Sequence, residues 1–309
     1  MPVLNGGNYL HLSVTSIVRQ SFRDWELLLF DDGSTDSSVE QLRCLDDPRI
    51  KVIKDGKTRG IAERLNQAID MARGDFFARM DHDDISHPDR FQQQVEFLQT
   101  HPEVDLLATK CLTIDEMDRV TGKLPFAPSH KKICSRPWFG FPMAHPSWMG
   151  RTSWFKRYRY RDPAPYWAEV CCEDSELLMR AYKSSLFHCT ELPLLAYRVR
   201  SHTPWLKKWR TRKAMAAMQI EYFISVGDWR SVLLVGMVRC LRVLLDLKDE
   251  AVFQLGLKKS PNYSAACGSQ ADETDWIAKL KLQALSSANA FTIGPHGSLV
   301  EQRGRPVRG

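Results

Sequence analysis

The segment ARMDHDDISHPDR, residues 78–90, places four aspartates directly after DFFARM (75–80), a run that predicts a buried strand. Asp81, Asp83 and Asp84 lie at the end of that strand. On an extended segment the side chains at positions i and i+2 point to the same side, so Asp81 and Asp83 lie together. No lysine lies beside them to neutralise their charges, whereas Mg²⁺ and Mn²⁺ prefer such hard oxygen ligands. The pattern predicts a divalent-metal site whose open positions suit a diphosphate.

A second acidic turn, FDDGSTD (30–36), follows the apolar run WELLLF (25–30). Ligands of α/β sheets bind beyond the carboxyl ends of the strands, so the two acidic turns are expected to share one crevice. Each acidic turn has a simpler alternative: residues 30–36 could form a plain strand-to-helix turn, and the D-x-D element, Asp81-His82-Asp83, could be an acidic helix N-terminus. We interpret Asp89 as an acid of that second kind. A phosphatase of the haloacid dehalogenase type is excluded, because Phe30 occupies the position of its nucleophilic aspartate.

Strand-like and helix-like runs alternate from residue 8 to about residue 199. This alternation predicts an α/β fold with a mainly parallel sheet flanked by helices. Besides the two runs already described, the predicted strands lie at 50–53 and 104–109. The predicted helices have apolar positions near residues 10–18, 39–42, 61–69 and 91–98.

Composition narrows the class of protein. The chain has 309 residues and is 43% hydrophobic, which suits one large domain or two modest ones. Its eight cysteines form no CxxC pair and no zinc spacing, which predicts reduced thiols in the cytoplasm. The first residues do not resemble a signal peptide. A net charge of +6 is too diffuse for a dedicated nucleic-acid binder, so no nucleic-acid partner is expected.

The last third of the chain differs in character. WLKKWRTRKAM (205–215) mixes tryptophan with basic residues, and SVLLVGMVRCLRVLLDL (231–247) predicts an amphipathic helix, too short and too charged for a confident membrane span. Both segments fit peripheral contact with an anionic membrane, and the alternative is packing onto the core with a solvated basic face. We expect domain boundaries at 1–200, a helical segment at 201–257 and a disordered tail at 258–309.

Three blocks together resemble the family 2 glycosyltransferases of GT-A fold. They are MPVLNGGNYLHLSVTSIVRQSFRDWELLLFDDGSTD, RGIAERLNQAIDMARGDFFARMDHDDISHPDRFQQQVEFL and the later CCEDSELLMRAY. The resemblance covers about residues 1–200 and implies a hexosyltransferase-type enzyme that uses a nucleotide-sugar donor, with a UDP-sugar favoured. The residues that it assigns to the nucleotide are Pro2, Asn5, Asp31, Asp32 and Asp81.

The resemblance also assigns the metal. Asp81 and Asp83 would hold Mn²⁺ or Mg²⁺, with Asp83 the more direct ligand and Asp84 in support. Between the two acidic turns, Gly60 and Asn66 match a common helix pattern of the family. Arg64 nearby could approach the phosphates, although we favour a surface salt bridge.

The catalytic base of the family stands in an E-D pair at the start of a helix, which Glu173 and Asp174 match. Asp174 would be the base, with Glu173 and His145 on the acceptor side. The alternative for the pair is two acids placed at a helix N-terminus for dipole reasons. His145, in AHPSWMGRTSWF (144–155), could instead satisfy a buried backbone group, which we favour.

The implied reaction is an inverting transfer to a hydroxyl of a glycan or lipid-linked acceptor, in cell-surface polysaccharide or lipopolysaccharide synthesis. Its expected location is the cytoplasm or the inner face of the cell membrane. The chain lacks a Q-x-x-R-W motif, which favours single addition over a processive synthase. The alternatives are a nucleotidyltransferase, for which NGGNYLHL lacks a basic residue, and a truncated, non-catalytic nucleotide-binding remnant.

One departure from the family concerns the first strand. The family opens with a buried strand before the P-x-x-N segment, whereas this sequence opens at Met1-Pro2. We therefore expect that strand to be missing, through an upstream start or a defective copy. Its loss would expose neighbouring strand edges.

Overall fold

The structure is a computed structural model, and it describes residues 1–162, 172–200, 203–255, 271–289, 291–293 and 299–301. Strands and helices alternate through the first two hundred residues, so the predicted α/β class is confirmed. The predicted helix near residues 39–42 forms as a 3₁₀-helix, Glu40–Leu45. The α-helices are α1 Tyr9–Val18, α2 Ile61–Met71, α3 Arg90–Thr100, α4 His130–Ile133, α5 Thr152–Arg157, α6 Glu173–Ala181, α7 Trp205–Ser225, α8 Trp229–Gln254 and α9 Ala271–Asn289.

The first sheet is entirely parallel and consists of β1 Pro2–Val3, β2 Leu27–Asp31 and β3 Ile50–Lys54, with β2 in the centre. A two-residue strand at the start of the P-x-x-N segment pairs in parallel with β2, whereas the expectation of a missing strand before Pro2 stays a prediction. Met1 extends the pairing, since Phe30 N donates to Met1 O at 2.9 Å. The neighbouring edge of β2 is thus covered beside the first acidic turn.

The second sheet is mixed, with strand order β4-β8-β6-β9-β5 and β7 paired to β6. Within it only β6 and β9 are parallel, so the prediction of a mainly parallel sheet holds for the first sheet and not for this one. A short hairpin of β10 and β11 closes the described part of the chain. The bounds are β4 Phe76–Ala78, β5 Ile85–Ser86, β6 Leu106–Ile114, β7 Val120–Lys123, β8 Met149–Arg151, β9 Phe187–Arg198, β10 Phe291–Ile293 and β11 Leu299–Glu301.

Strand β2 shows why its run of apolar residues is continuous. Successive side chains of a strand point to opposite faces, and both faces of β2 are covered. Leu28 and Phe30 join the core cluster that contains the buried face of α2. Leu27 and Leu29 join the cluster that contains the buried faces of α1 and α3. Burial on both sides fixes the strand end and therefore the position of the acidic turn that follows it.

The C-terminal third contains more structure than predicted. Helix α9 packs Ile277, Leu280 and Ala284 into a cluster with Leu12 and Ile85, so the prediction of a disordered tail is wrong for α9. The rest of that predicted tail, apart from the β10–β11 hairpin, lies outside the described residues. Among the described helices, none combines the length and the apolar composition needed to cross a bilayer.

Candidate active site

The turn after β2 is built on carboxylate and amide side chains. Asp31 is fully buried; its Oδ1 accepts from Ser34 N at 2.8 Å, and its Oδ2 pairs with Lys54 Nζ at 3.0 Å. Although burial opposes ionisation, these contacts hold the pKa of Asp31 below its usual value. Asn5 Oδ1 accepts from Thr35 N at 2.8 Å. The segment after β1 is therefore joined to the turn after β2, and Pro2 lies within β1 itself.

Asp32 is held by three donors of the protein. Its Oδ1 accepts from Arg59 N and Arg64 Nε, both at 2.8 Å, and its Oδ2 accepts from Gly60 N at 3.0 Å. Arg64 is fully buried, and it also pairs with Asp55 at 2.7 Å. The prediction of a surface salt bridge is therefore wrong about exposure: Arg64 is an interior cation that fixes the turn.

The turn after β4 brings three carboxylates together. Asp81, Asp83 and Asp84 offer ligand atoms that all lie within 4.8 Å of one another. Asp84 is buried, and its Oδ1 accepts from Arg198 N at 2.8 Å, whereas its Oδ2 has no hydrogen-bond partner within the described structure. Burial and the charges of Asp81 and Asp83 raise the pKa of Asp84 well above its usual value.

This donor set fits a divalent cation. The ligand atoms are carboxylate oxygens, which Mg²⁺ and Mn²⁺ prefer. A buried carboxylate oxygen without a partner is costly unless a cation or proton satisfies it. The fold thus brings together the three carboxylates from which the sequence predicted a metal site.

Arg79 is a residue that the sequence analysis missed. It is buried, and its Nη1 lies 2.5 Å from Asp81 Oδ2. The argument that no basic residue neutralises the aspartates is therefore corrected for Asp81. The signal was present, because Arg79 stands two positions before Asp81 and the two side chains share one side of an extended segment.

Arg198, the last residue of β9, is a second missed residue. Besides its contact with Asp84, its Nε donates to Asp83 O at 2.8 Å and its Nη2 pairs with Asp118 at 2.5 Å. Its guanidinium carbon also lies 4.1 Å from the centroid of the Tyr9 ring. Arg198 thereby fixes the backbone of the acidic turn. No local pattern indicated this role, because β9 is distant in sequence.

The acidic pair Glu173 and Asp174 forms the first turn of α6, as predicted. Asp174 Oδ1 accepts from Ser175 N at 2.6 Å. Burial raises the pKa of Asp174 despite the opposing Arg79 charge. Burial and the neighbouring Asp174 raise the pKa of Glu173 to about 7. A carboxylate with a raised pKa is a stronger base than one in water.

His145 lies between the acidic pair and Tyr160. Its Nδ1 is 3.6 Å from Glu173 Oε1, and its Nε2 is 2.7 Å from the Tyr160 hydroxyl. Burial and the Arg79 charge lower the pKa of His145 well below its usual value, so the ring is neutral. The favoured interpretation, a bond to a buried backbone group, is corrected, because both ring nitrogens face side chains.

The structure brings two of the three acidic groups into one electrostatic neighbourhood. Arg79 pairs with Asp81, and its charge also lowers the pKa of Asp174. The Asp81 charge in turn raises the pKa of Glu173. The charge of the buried Arg79 therefore acts on both the carboxylate cluster and the acidic pair. Tyr160 links His145 to α2: its hydroxyl lies 2.7 Å from His145 Nε2, and its carbonyl oxygen accepts from Asn66 Nδ2 at 2.8 Å.

Comparisons with known proteins agree with this architecture. The model of glycosyl transferase family 2 matches residues 1–159. A protein of Bacillus subtilis (strain 168) named as the glycosyltransferase EpsE is 32% identical over 213 residues, which cover 67% of this chain and 74% of that relative. The bifunctional glycosyltransferase pgtA of Dictyostelium discoideum is 44% identical over 108 residues, which cover 33% of this chain and only 14% of that relative.

Solved structures share the backbone arrangement. S. aureus TarS 1-349 in complex with UDP-GlcNAc has a TM-score of 0.57 at 15% identity, covering 99% of this chain and 96% of that one. The mannosyltransferase PcManGT from Pyrobaculum calidifontis, in complex with GDP-Man and Mn²⁺, has a TM-score of 0.52 at 15% identity, covering 93% and 84%. At these identities the likeness concerns the fold alone.

The chain therefore belongs to glycosyl transferase family 2. Its GT-A fold, expected from three sequence blocks, is confirmed by the family match and by the solved structures. The enzyme class is likewise confirmed as glycosyltransferase.

Proposed function

We propose that the protein is an inverting, metal-dependent glycosyltransferase that moves a sugar from a nucleotide-sugar donor to a hydroxyl acceptor in the synthesis of cell-surface polysaccharide or lipopolysaccharide. One observation supports the proposal: the charge of the buried Arg79, which pairs with Asp81 of the carboxylate cluster after β4, also acts on the acidic pair of α6. A cation site and a basic carboxylate that act on the same donor and acceptor are what an in-line displacement of a diphosphate requires.

The nucleoside would bind at the ends of β1 and β2. Pro2, Asn5, Asp31 and Asp32 would form that part of the site, where a carboxylate can accept from a base N–H or a ribose hydroxyl. UDP-GlcNAc in TarS and GDP-Man in PcManGT support a nucleotide-sugar donor, and a UDP-sugar is favoured here. The acceptor would be a glycan or a lipid-linked glycan.

Asp81, Asp83 and Asp84 would hold the cation, as either Mn²⁺ or Mg²⁺, with Asp83 the more direct ligand. The bound ion would offset the charge that develops on the leaving diphosphate. Support comes from the clustered oxygens and from the Mn²⁺ complex of PcManGT. Arg198 would keep this turn in place, because its Nε donates to the backbone carbonyl of Asp83 and its backbone N donates to the Asp84 side chain.

Asp174 would act as the general base. It takes the proton of the acceptor hydroxyl as that oxygen attacks the anomeric carbon from the face opposite the diphosphate, so the configuration inverts without a covalent enzyme intermediate. Burial makes Asp174 more basic, whereas the Arg79 charge limits the rise and lets the carboxylate ionise. Glu173 and the neutral His145 ring would face the acceptor.

A donor screen tests the proposal directly. The full chain is incubated with a panel of UDP-, GDP- and dTDP-sugars, with and without Mn²⁺, and release of the nucleoside diphosphate is measured. We expect slow release from one donor that depends on the cation and accelerates with the correct acceptor. Release of pyrophosphate from a nucleoside triphosphate and a sugar phosphate would instead identify a nucleotidyltransferase. No release and no UDP binding would identify a non-catalytic remnant.

A further inference from the structure

The long helix α8 buries polar side chains beside the apolar Val235 and exposes several large apolar side chains. A surface helix normally turns its apolar residues to the core and its charged residues to solvent. In α8, Ser231 and Arg239 are buried, whereas Leu233 and Met237 are 71% and 69% exposed. Burying an arginine while exposing large apolar side chains is unfavourable unless another apolar phase covers the exposed side.

Three charged side chains of α8, Arg239, Arg242 and Asp246, face the rest of the protein. Arg239 Nη2 donates to Gln219 Oε1 on α7 at 2.6 Å. The Arg242 guanidinium carbon lies 4.2 Å from the centroid of the Phe139 ring. The face of Arg239, Arg242 and Asp246, which the sequence predicted as part of an amphipathic helix, is therefore the packed face. The alternative, packing onto the core with a solvated basic face, holds for α8 in its packing, whereas only Arg230 and Lys248 among its basic residues are exposed.

The opposite side of α8 forms a continuous apolar stripe. Its members repeat every three or four residues, which places them on one helical face. Arg230 and Lys248 are exposed at the two ends of the same side and are both basic. The exposed apolar residues of the stripe are Trp229, Leu233, Met237, Leu241, Leu244 and Leu245.

The basic start of α7 adjoins the C-terminal half of this stripe. An ion pair between Arg212 Nε and Asp246 Oδ2, at 2.9 Å, places the first turns of α7 beside the last turns of α8. Apolar and basic side chains alternate there, and no acidic residue interrupts them. The exposed residues of this segment are Leu206, Lys207, Trp209, Arg210 and Lys213.

We propose that the docking face, defined as the α8 stripe with Arg230, Lys248 and the exposed residues of α7, lies flat on an anionic lipid bilayer. Apolar side chains would enter the boundary of the acyl chains, and the cations would meet the headgroups, as in interfacial helices. The cations of this face are Arg230 and Lys248 on α8 with Lys207, Arg210 and Lys213 on α7, and they outnumber the exposed acids of the two helices, Glu221 and Asp249. Anionic headgroups complement this net positive charge, whereas a second copy of the same face would repel it. The proposal does not depend on the proposed reaction.

Vesicle flotation of the full chain tests the docking face. The vesicles consist of phosphatidylcholine alone or of phosphatidylcholine mixed with phosphatidylglycerol. We expect binding to the mixed vesicles that weakens at high salt, and little binding to phosphatidylcholine. The double variant Met237→Asp with Leu241→Asp should lower binding at least roughly tenfold, because two apolar side chains no longer enter the bilayer. Lys207→Ala and Arg210→Ala should each lower it about fivefold.

The matched control is Leu282→Asp, which changes a leucine of similar exposure on α9 and should leave vesicle binding unchanged. Sedimentation velocity without lipid supplies the second readout. The proposal is overturned if the double variant binds the mixed vesicles as tightly as the original chain. It is also overturned if the chain does not bind the vesicles and instead forms a dimer that the double variant dissociates, since a second copy would then cover the face.

Discussion

The two acidic turns that follow β2 and β4 use aspartate in opposite ways. In the turn after β2, Asp31 and Asp32 have their oxygens paired with Ser34, Lys54 and Arg64 and with backbone amides. In the turn after β4, Asp84 keeps a buried oxygen without a partner in the described structure, and its pKa is raised. The same residue type at two strand ends therefore stabilises one turn and leaves the other available to a cation.

The acidic pair of α6 resembles the second turn in this respect. Glu173 and Asp174 are buried with raised pKa values, whereas Asp31 has a lowered one. A carboxylate whose charge is stabilised by the protein is a poor base, and one whose charge is destabilised is a good base or ligand. The contacts of Asp31 therefore favour its charged form, whereas burial disfavours the charged forms of Asp84, Glu173 and Asp174.

The largest effect is expected at Asp174. Asp174→Asn removes the base but keeps the side-chain shape, so the transfer rate should fall roughly 10²–10⁴-fold. Steady-state transfer kinetics measure the loss, and UDP binding by calorimetry should stay unchanged. Asp162→Asn, which changes an exposed acid, is the control. A variant with normal turnover would remove Asp174 from the reaction.

The next largest effect concerns stability. Asp32→Ala leaves the buried Arg64 without its interior partner, so the free energy of unfolding should fall by about 3–5 kcal/mol. Asp55→Ala removes the partly exposed partner of the same arginine and should cost about 1 kcal/mol or less. Denaturant titration followed by circular dichroism measures both. Equal losses, or no loss at Asp32, would contradict the structural role of the first acidic turn.

A smaller effect is expected in the pH profile. If Asp174 is the base, kcat/KM should fall as the pH drops through a pKa above the usual range of aspartate. Glu173→Gln removes a neighbouring negative charge, which lowers the pKa of Asp174 and moves this acidic limb to lower pH. Initial rates across an acidic pH series measure the shift. An unmoved limb, or one displaced to higher pH, would show that the two carboxylates are not coupled.

The sequence predicted the elements whose signals are local. The apolar run of β2 and the helical spacing of α1, α2 and α3 identified their elements, because both patterns are set by which face is buried. The mixed second sheet was not predictable in this way, since β6 pairs in parallel with β9, a strand far along the chain. Helix α9 was missed because its buried positions, such as Ile277 and Leu280, lie in a polar context.

The candidate site shows the same division. The three aspartates and the E-D pair were found from motifs at strand and helix ends. Arg79 had a detectable signal in its spacing to Asp81, whereas Arg198 had none, because a tertiary contact alone brings it to Asp83 and Asp84. The sequence also did not predict which face of α8 is buried, because a helical period identifies two faces without saying which one packs.

The most direct test of the contrast between the two acidic turns is calorimetric titration of UDP with and without Mn²⁺. The cluster after β4 should make UDP bind at least roughly tenfold more tightly when Mn²⁺ is present, and Asp83→Asn should abolish that gain. Asp89→Asn, an exposed acid outside the cluster, should retain it. Equal UDP affinity with and without Mn²⁺ in the original chain, or an undiminished gain in Asp83→Asn, would contradict the assignment of this turn to a metal-bound diphosphate.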